Sequence, residues 1–171
     1  KITANINVNP LPAITGTPGV CVASDTQLTA SAPATSSPWI SSNTAVATVD
    51  NTGKVTGVSA GATVITFTNN NGCQNTINVA VNSAANAGSS SGSYNVCETD
   101  LTQLILANAL TGEQPNGVWT RKSGTGGTFV ASTGTFTPAI GATTSVFKYT
   151  ITGTLPCLDD SEDVTVNISQ A

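Results

Sequence analysis

Apolar residues along this chain recur at alternate positions in short runs, the period of a strand with one buried face. The clearest run is Trp39 to Gly57, WISSNTAVATVDNTGKVTG, with Ala45, Ala47 and Val49 on one face and Val46 and Thr48 on the other. Asp50-Asn51-Thr52-Gly53 then turns the chain into Lys54-Val55-Thr56. The pattern predicts a strand that starts near Trp39, a tight turn and a second strand.

The same plan recurs later in the chain. Trp119 stands where Trp39 does, and Thr133-Gly134-Thr135-Phe136-Thr137 stands where Thr52-Gly53-Lys54-Val55-Thr56 does. The offset from tryptophan to turn glycine agrees between the two halves to within a single position. Val64 to Thr68 lies ahead of Cys73 as Val146 to Thr150 lies ahead of Cys157, and each Cys is followed by a last alternating run, Ile77 to Val81 or Val164 to Ile168. Cys21 precedes the first Trp and Cys97 the second. Each half therefore reads Cys, Trp, turn Gly, strand, Cys, strand, and the expectation is two diverged copies of one all-β module.

The expected boundaries follow from the runs. Residues 1–12, KITANINVNPLP, alternate until Pro10 and Pro12, and are either the last strand of a preceding repeat or the first strand of this one. A first module covers 13–82, with a strand at Gln27 to Ala30, a loop at Ala32 to Pro38 and a hairpin turn at Asn70-Asn71-Gly72. Residues 83–93, SAANAGSSSGS, form a short small-residue linker with room for an edge strand. The second module covers 94–171. Asp100 as N-cap, Gln103 three residues on, and Leu101, Leu104 and Ile105 on one face suggest a helical turn or two, with a bulged strand as the alternative.

Composition narrows the class. Charged residues are 8%, against about 25% in an ordinary soluble domain, so Thr, Ser and Asn must supply the surface. A net charge of −4 with five cations leaves no basic stripe for nucleic acid. The longest apolar run, Leu104 to Leu110, is too short to span a bilayer as a helix. With no signal-like stretch at its start, the chain is expected to come from the interior of a longer secreted protein. Its surface gives no reason to expect anything but a monomer.

Four cysteines allow three pairings. The internal repeat selects Cys21 with Cys73 and Cys97 with Cys157, one bridge at the same place in each module, each expected to stabilise by about 4 kcal/mol on the chain-entropy model. Zinc is a poor alternative, because the chain has no His and no Cys-x-x-Cys pair. Disulfides in turn point to an oxidising, extracellular setting.

The residues Trp39-Ile-Ser-Ser-Asn43, Val46-Ala-Thr-Val-Asp50, Gly53-Lys-Val-Thr-Gly57, Ala60-Gly61 and Val64-Ile-Thr66 closely resemble the bacterial Ig-like group 2 domain of invasin- and intimin-type adhesins, over Leu28 to Val81. With Cys21, Cys73 and the joint at Asn9 to Pro12, the stretch is similar to tandem repeats of SprB-type surface adhesins of gliding Bacteroidota. Cys97-Glu-Thr-Asp100, Gly117-Val-Trp-Thr120, Thr133 to Pro138, Tyr149 to Thr152 and Cys157 resemble another repeat class of such proteins. The resemblance implies two tandem Ig-like β-sandwich modules, exported by the type IX system and carried on the cell surface during gliding. It implies no catalytic residues.

Candidate chemistry is sparse. Without His, no Ser-His-Asp or Cys-His arrangement exists, and catalysis would rest on nine carboxylates that mostly lie in turn-like sequence. A bridge from Cys97 to Cys157 would draw Glu98 and Asp100 towards Asp159, Asp160, Glu162 and Asp163, a candidate Ca²⁺ site whose plainer alternative is a solvated hairpin turn with Asp100 as a helix cap. Trp39 and Trp119, with Tyr94 and Tyr149, suit a sugar-stacking platform, but their equivalent placement early in a central strand favours a core role for both indoles. The run Ser123 to Thr128 lacks the Lys-Ser or Lys-Thr of a phosphate loop and reads as a hairpin. The expected function is a non-enzymatic segment of a surface adhesin, contacting neighbouring repeats and extracellular polysaccharide or solid surfaces. The alternative is a carbohydrate-binding module of a secreted polysaccharide-degrading enzyme.

Overall fold

The computed structural model describes residues 8–170. Among them the regular structure is β apart from one 3₁₀ turn, and the chain divides into two compact units, 8–84 with 154–157, and 85–153 with 158–170. Residues 1–7 of the expected N-terminal strand lie outside the described residues, and Val8 to Pro12 is irregular.

In the first unit the strands are β1 (Ile14–Gly16), β2 (Gly19–Cys21), β3 (Asp25–Ala30), β4 (Ala34–Ser41), β5 (Ala47–Val49), β6 (Lys54–Gly57), β7 (Gly61–Asn69) and β8 (Gln74–Asn82). One sheet has the order β1-β3-β6-β5 and the other β2-β8-β7-β4. Among the described strands the pairings are antiparallel except that of β2 with β8, which run parallel from Gly19 opposite Ala80 to Cys21 opposite Asn82 and are followed by a parallel bridge from Val22 to Gly57. The alternation along β7, with Thr63, Ile65, Phe67 and Asn69 buried, turns one face inward. Val20, Leu28, Trp39, Ala47, Val55, Ile65, Phe67, Val79 and Val81 close the core between the sheets.

The expected hairpin at Asp50 to Gly53 is present. Asp50 Oδ1 accepts hydrogen bonds from Thr52 N (2.8 Å), Thr52 Oγ1 (2.6 Å) and Lys54 N (3.1 Å), which fixes the turn from its first residue. In the β7–β8 hairpin, the buried Asn69 performs the same task for Asn71 and Cys73, and Gly72 supplies the positive φ of 78°. Of the segment read as a loop at Ala32 to Pro38, Ala32 and Pro33 lie outside any strand, but Ala34 to Pro38 is the first part of β4. Pro38 is tolerated there because β4 is the outer strand of its sheet, with an irregular register between Ala34 and Trp39, where a missing N–H breaks no ladder.

The second unit contains β9 (Ser89–Ser90), β10 (Tyr94–Cys97), β11 (Leu104–Ile105), a 3₁₀ turn at Leu106–Ala109, β12 (Leu110–Thr111), β13 (Val118–Ser123), β14 (Thr128–Val130), β15 (Thr135–Thr137), β16 (Ser145–Ile151) and β17 (Asp160–Ser169). Its larger sheet runs β10-β17-β16-β13, with β10 parallel to β17, and a smaller one runs β11-β15-β14. These orders reproduce β2-β8-β7-β4 and β3-β6-β5 strand for strand. The predicted helix at Asp100 is displaced. Asp100 Oδ1 accepts from Thr102 N at 3.0 Å in a local turn, and the 3₁₀ turn begins only at Leu106, with no side-chain cap. Leu104 and Ile105 are taken first by β15, which offers a hydrogen-bonded ladder. The linker does hold an edge strand, since β9 pairs with β12.

Candidate functional site

The two tryptophans occupy equivalent places. Trp39 is opposite Phe67 in the β4–β7 ladder, with ring centroids 4.7 Å apart, and Trp119 is opposite Tyr149 in the β13–β16 ladder at 4.9 Å. Their residual exposures are 7% and 6%, so neither presents a ring face to a sugar. In both units a turn glycine lies against the indole. A Cβ on Gly53 would stand 3.1 Å from Trp39, and one on Gly134 would stand 2.6 Å from Trp119 Cδ1. The carbonyl of each glycine accepts the N–H of a fully buried leucine at 2.9 Å, Leu28 for Gly53 and Leu106 for Gly134. The repeated offset from Trp to Gly is thus the sequence trace of one packing motif.

Tyr149, a candidate for sugar stacking on sequence grounds, is buried, and its hydroxyl is committed. It donates to Gln114 O at 2.7 Å and accepts from Gly117 N at 2.8 Å. Gly117 is required there because a Cβ would run into the phenol ring. Tyr94 is half-buried, donates to Ile105 O at 2.6 Å, and has its pKa raised by burial. It edges a small depression of about 170 Å³ with Ser91, Gly92, Ser93, Asn108 and Ala109. No charged group lines it.

The acidic residues are dispersed instead of gathered. Asp160 to Asp163 do not form a hairpin turn; they open β17. Asp160 Oδ2 accepts from Ala87 N at 2.8 Å and Glu162 Oε1 from Ser90 N at 2.9 Å, so two acids at alternate positions on one strand fasten the 85–90 segment. Asp159 accepts from Gly153 N, Asp163 pairs with Lys122 at 2.6 Å, and the buried Glu98 accepts from Gly141 N at 2.8 Å. Hydrogen bonding within its local turn lowers the Asp100 pKa. Among the described residues no three carboxylates or thiols converge in a way that could hold a metal ion, and the proposed Ca²⁺ set of Glu98, Asp100, Asp159 and Asp160 is not assembled.

The disulfide is not where the repeat put it. Cys21 is bonded to Cys157, with Cα atoms 5.6 Å apart, while Cys73 and Cys97 are free thiols. Strand direction explains why both expected bridges fail. Cys21 lies opposite Asn82 at the end of β8, whereas Cys73 precedes that strand's first residue. Nine residues of extended chain separate the two levels, about 30 Å at about 3.3 Å per residue, far beyond the span of a disulfide. Cys97 lies opposite Ser169 at the end of β17, and Cys157 lies ahead of its start. The loop 154–157 instead belongs with the first unit, where Asn82 Nδ2 donates to Leu155 O at 2.8 Å and a Cβ on Gly19 would touch Pro156 at 3.2 Å.

Residues 18–87 match the bacterial Ig-like domain (group 2). The matched stretch includes Leu28, Trp39 and the parallel β2–β8 pair of the first unit's core. No curated protein matches the chain in sequence. Among solved structures, similarity is found to an intimin mutant of EHEC O157:H7, 24% identical over 42% of this chain and 46% of that one, with a TM-score of 0.37. Murine CEACAM1b is 12% identical over 92% of this chain and 100% of that one (TM-score 0.44). The extracellular domains 3–5 of Drosophila OTK are 14% identical over 92% and 62% (TM-score 0.47). The chain thus spans less than half of the intimin structure it matches. Among the described residues no helix is long and apolar enough to cross a membrane.

Proposed function

We propose that this chain is a non-catalytic extracellular segment of a large cell-surface adhesin, two tandem Ig-like modules at 13–82 and 94–171 that serve as a stiff spacer and adhesion element. The observation that carries the proposal is the group 2 match at 18–87 together with the recurrence of its strand order in the second unit. In the finer form of the proposal the parent protein is an SprB-type adhesin, secreted by the type IX system and used in gliding and surface attachment. Its partners are neighbouring repeats and extracellular polysaccharide or solid surfaces.

The carbohydrate-binding alternative needs exposed aromatic faces, and burial of Trp39, Trp119 and Tyr149 weighs against it. A disulfide favours an oxidising compartment. The test is antibody labelling of the chain on intact cells of its source, in parallel with tryptophan emission of the isolated chain across a panel of soluble polysaccharides. Surface labelling that disappears when type IX export is disabled, with blue-shifted emission that no glycan alters, is the expected result. Labelling only after permeabilisation would overturn the adhesin proposal, and glycan-dependent emission would favour carbohydrate binding.

A further inference from the structure

The bond between Cys21 and Cys157 spans a sequence separation of 136 residues. Everything from Val22 to Pro156 is therefore inside one covalent loop, including Trp39, Leu28, Phe67, Trp119, Phe136 and Tyr149. We infer that tension applied along this chain bypasses that loop: force enters through β1 and β2, crosses the disulfide, and leaves through β17, so that most of the core of either unit never lies in the load path. This holds whether or not the parent protein is an adhesin, since it follows from connectivity alone.

The strands left in the path suit the task. β17 has ten residues, Asp160–Ser169, and is already extended, so pulling along it yields little new length. It lies between β10 and β16 in its sheet and is hydrogen-bonded on both edges. Its inward residues, Val164 and Val166, are fully buried. On the other side, β2 pairs with β8 over three residues and buries Val20, and β1 pairs with β3 over three residues with Ile14 only partly buried on the core, so both ladders are far shorter than those of β17. The first event under load is thus release of β1 and β2 up to Cys21, where the bridge stops it. An independent bridge in each module would not do this, because the stretch between the bridges would remain in series with the load.

Chain length turns the inference into a measurement. Only positions 1–20 and 158–171 lie outside the bridge. At roughly 3.5 Å per residue they give a limiting contour of about 120 Å, against about 600 Å for the whole chain. Bridges from Cys21 to Cys73 and from Cys97 to Cys157 would instead leave about 210 Å. The experiment holds the 171-residue chain by its two ends in an optical or magnetic trap and ramps the force, first oxidised and then after reduction by a water-soluble phosphine. Peptide mapping without reductant on the same preparation identifies the linked cysteines, and blue-shifted tryptophan emission checks that the reduced chain is still folded before pulling. The expected result is a limiting contour of about 120 Å when oxidised, rising about fivefold on reduction. A contour of about 210 Å, or of about 600 Å, in the oxidised chain would overturn the bypass. Cys157→Ser serves as a second test, and its contour should equal that of the reduced chain whether or not the variant is fully folded.

Discussion

If the indole and the turn glycine form one packing motif, adding a single methyl group at that glycine should be costly for a reason separable from backbone strain. Gly53 has φ of +85° and Gly134 of +62°, and left-handed backbone alone costs an L-residue about 1–2 kcal/mol. Gly72 and Gly141 supply matched controls, with φ of +78° and +80° and no atom within 4 Å of an added Cβ. At Gly53 the new Cβ would overlap Leu28 O and stand 3.1 Å from Trp39; at Gly134 it would stand 2.6 Å from Trp119 Cδ1. Carbon atoms pack at about 3.5 Å or more, so the turn at Gly134 must retreat by about 1 Å and lengthen the leucine N–H bond to the glycine carbonyl. Overpacking of this kind typically adds about 1–3 kcal/mol.

The expectation is that Gly53→Ala and Gly134→Ala each destabilise their unit by about 2–5 kcal/mol, and by more than Gly72→Ala and Gly141→Ala, at about 1–2 kcal/mol. Each unit contains one tryptophan, so the two indole N–H resonances followed through a urea titration report the units separately. If Gly53→Ala is no worse than Gly72→Ala, and Gly134→Ala no worse than Gly141→Ala, the indole contact is not what requires glycine, and the argument from the Trp-to-Gly offset fails.

Three other perturbations probe separate features. Tyr149→Phe removes a buried hydroxyl that makes two hydrogen bonds, at 2.7 and 2.8 Å, and should cost the second unit about 2 kcal/mol in urea denaturation, against about 1 kcal/mol or less for Tyr94→Phe; equal losses would contradict the assigned role. Hydrogen bonds from Thr52 and Lys54 hold the Asp50 pKa below its ordinary value of 3.8, so its contribution to stability is present above that value and is lost as pH falls through the folded-state pKa. Asp50→Asn should therefore flatten the acid limb of the first unit's stability profile, and an unchanged limb would reject the turn assignment. Replacing Asp160 or Glu162 by Ala should speed amide hydrogen exchange at Ala87 or Ser90 respectively, with exchange rates equal to those of the parent chain as the refuting outcome.

What could be read from the residues depended on whether the signal was local. The runs at Val64 to Thr68, Ile77 to Val81, Val146 to Thr150 and Val164 to Ile168 all lie within β7, β8, β16 and β17, because a period of two is imposed by the backbone itself. The Trp and Gly recurrence was legible because a hairpin turn packs over an indole only at a fixed distance along the chain. Asp160 and Glu162 were misplaced for the opposite reason: acids are common in turns, and only the N–H groups of Ala87 and Ser90, far away along the chain, explain their presence in a strand. The cysteines mark the limit most clearly. Their order relative to Trp, turn Gly and last strand is the same in the two halves, and that order suggested one bridge per half, but β2 runs parallel to β8 and β10 parallel to β17. That direction carries Cys21 and Cys97 to the far end of the strands that Cys73 and Cys157 precede, so the symmetry that exposed the repeat also excludes the symmetric pairing. Cys21 can then be bridged only by a thiol brought to the end of β8 from elsewhere in the chain, and the 154–157 loop delivers Cys157 there.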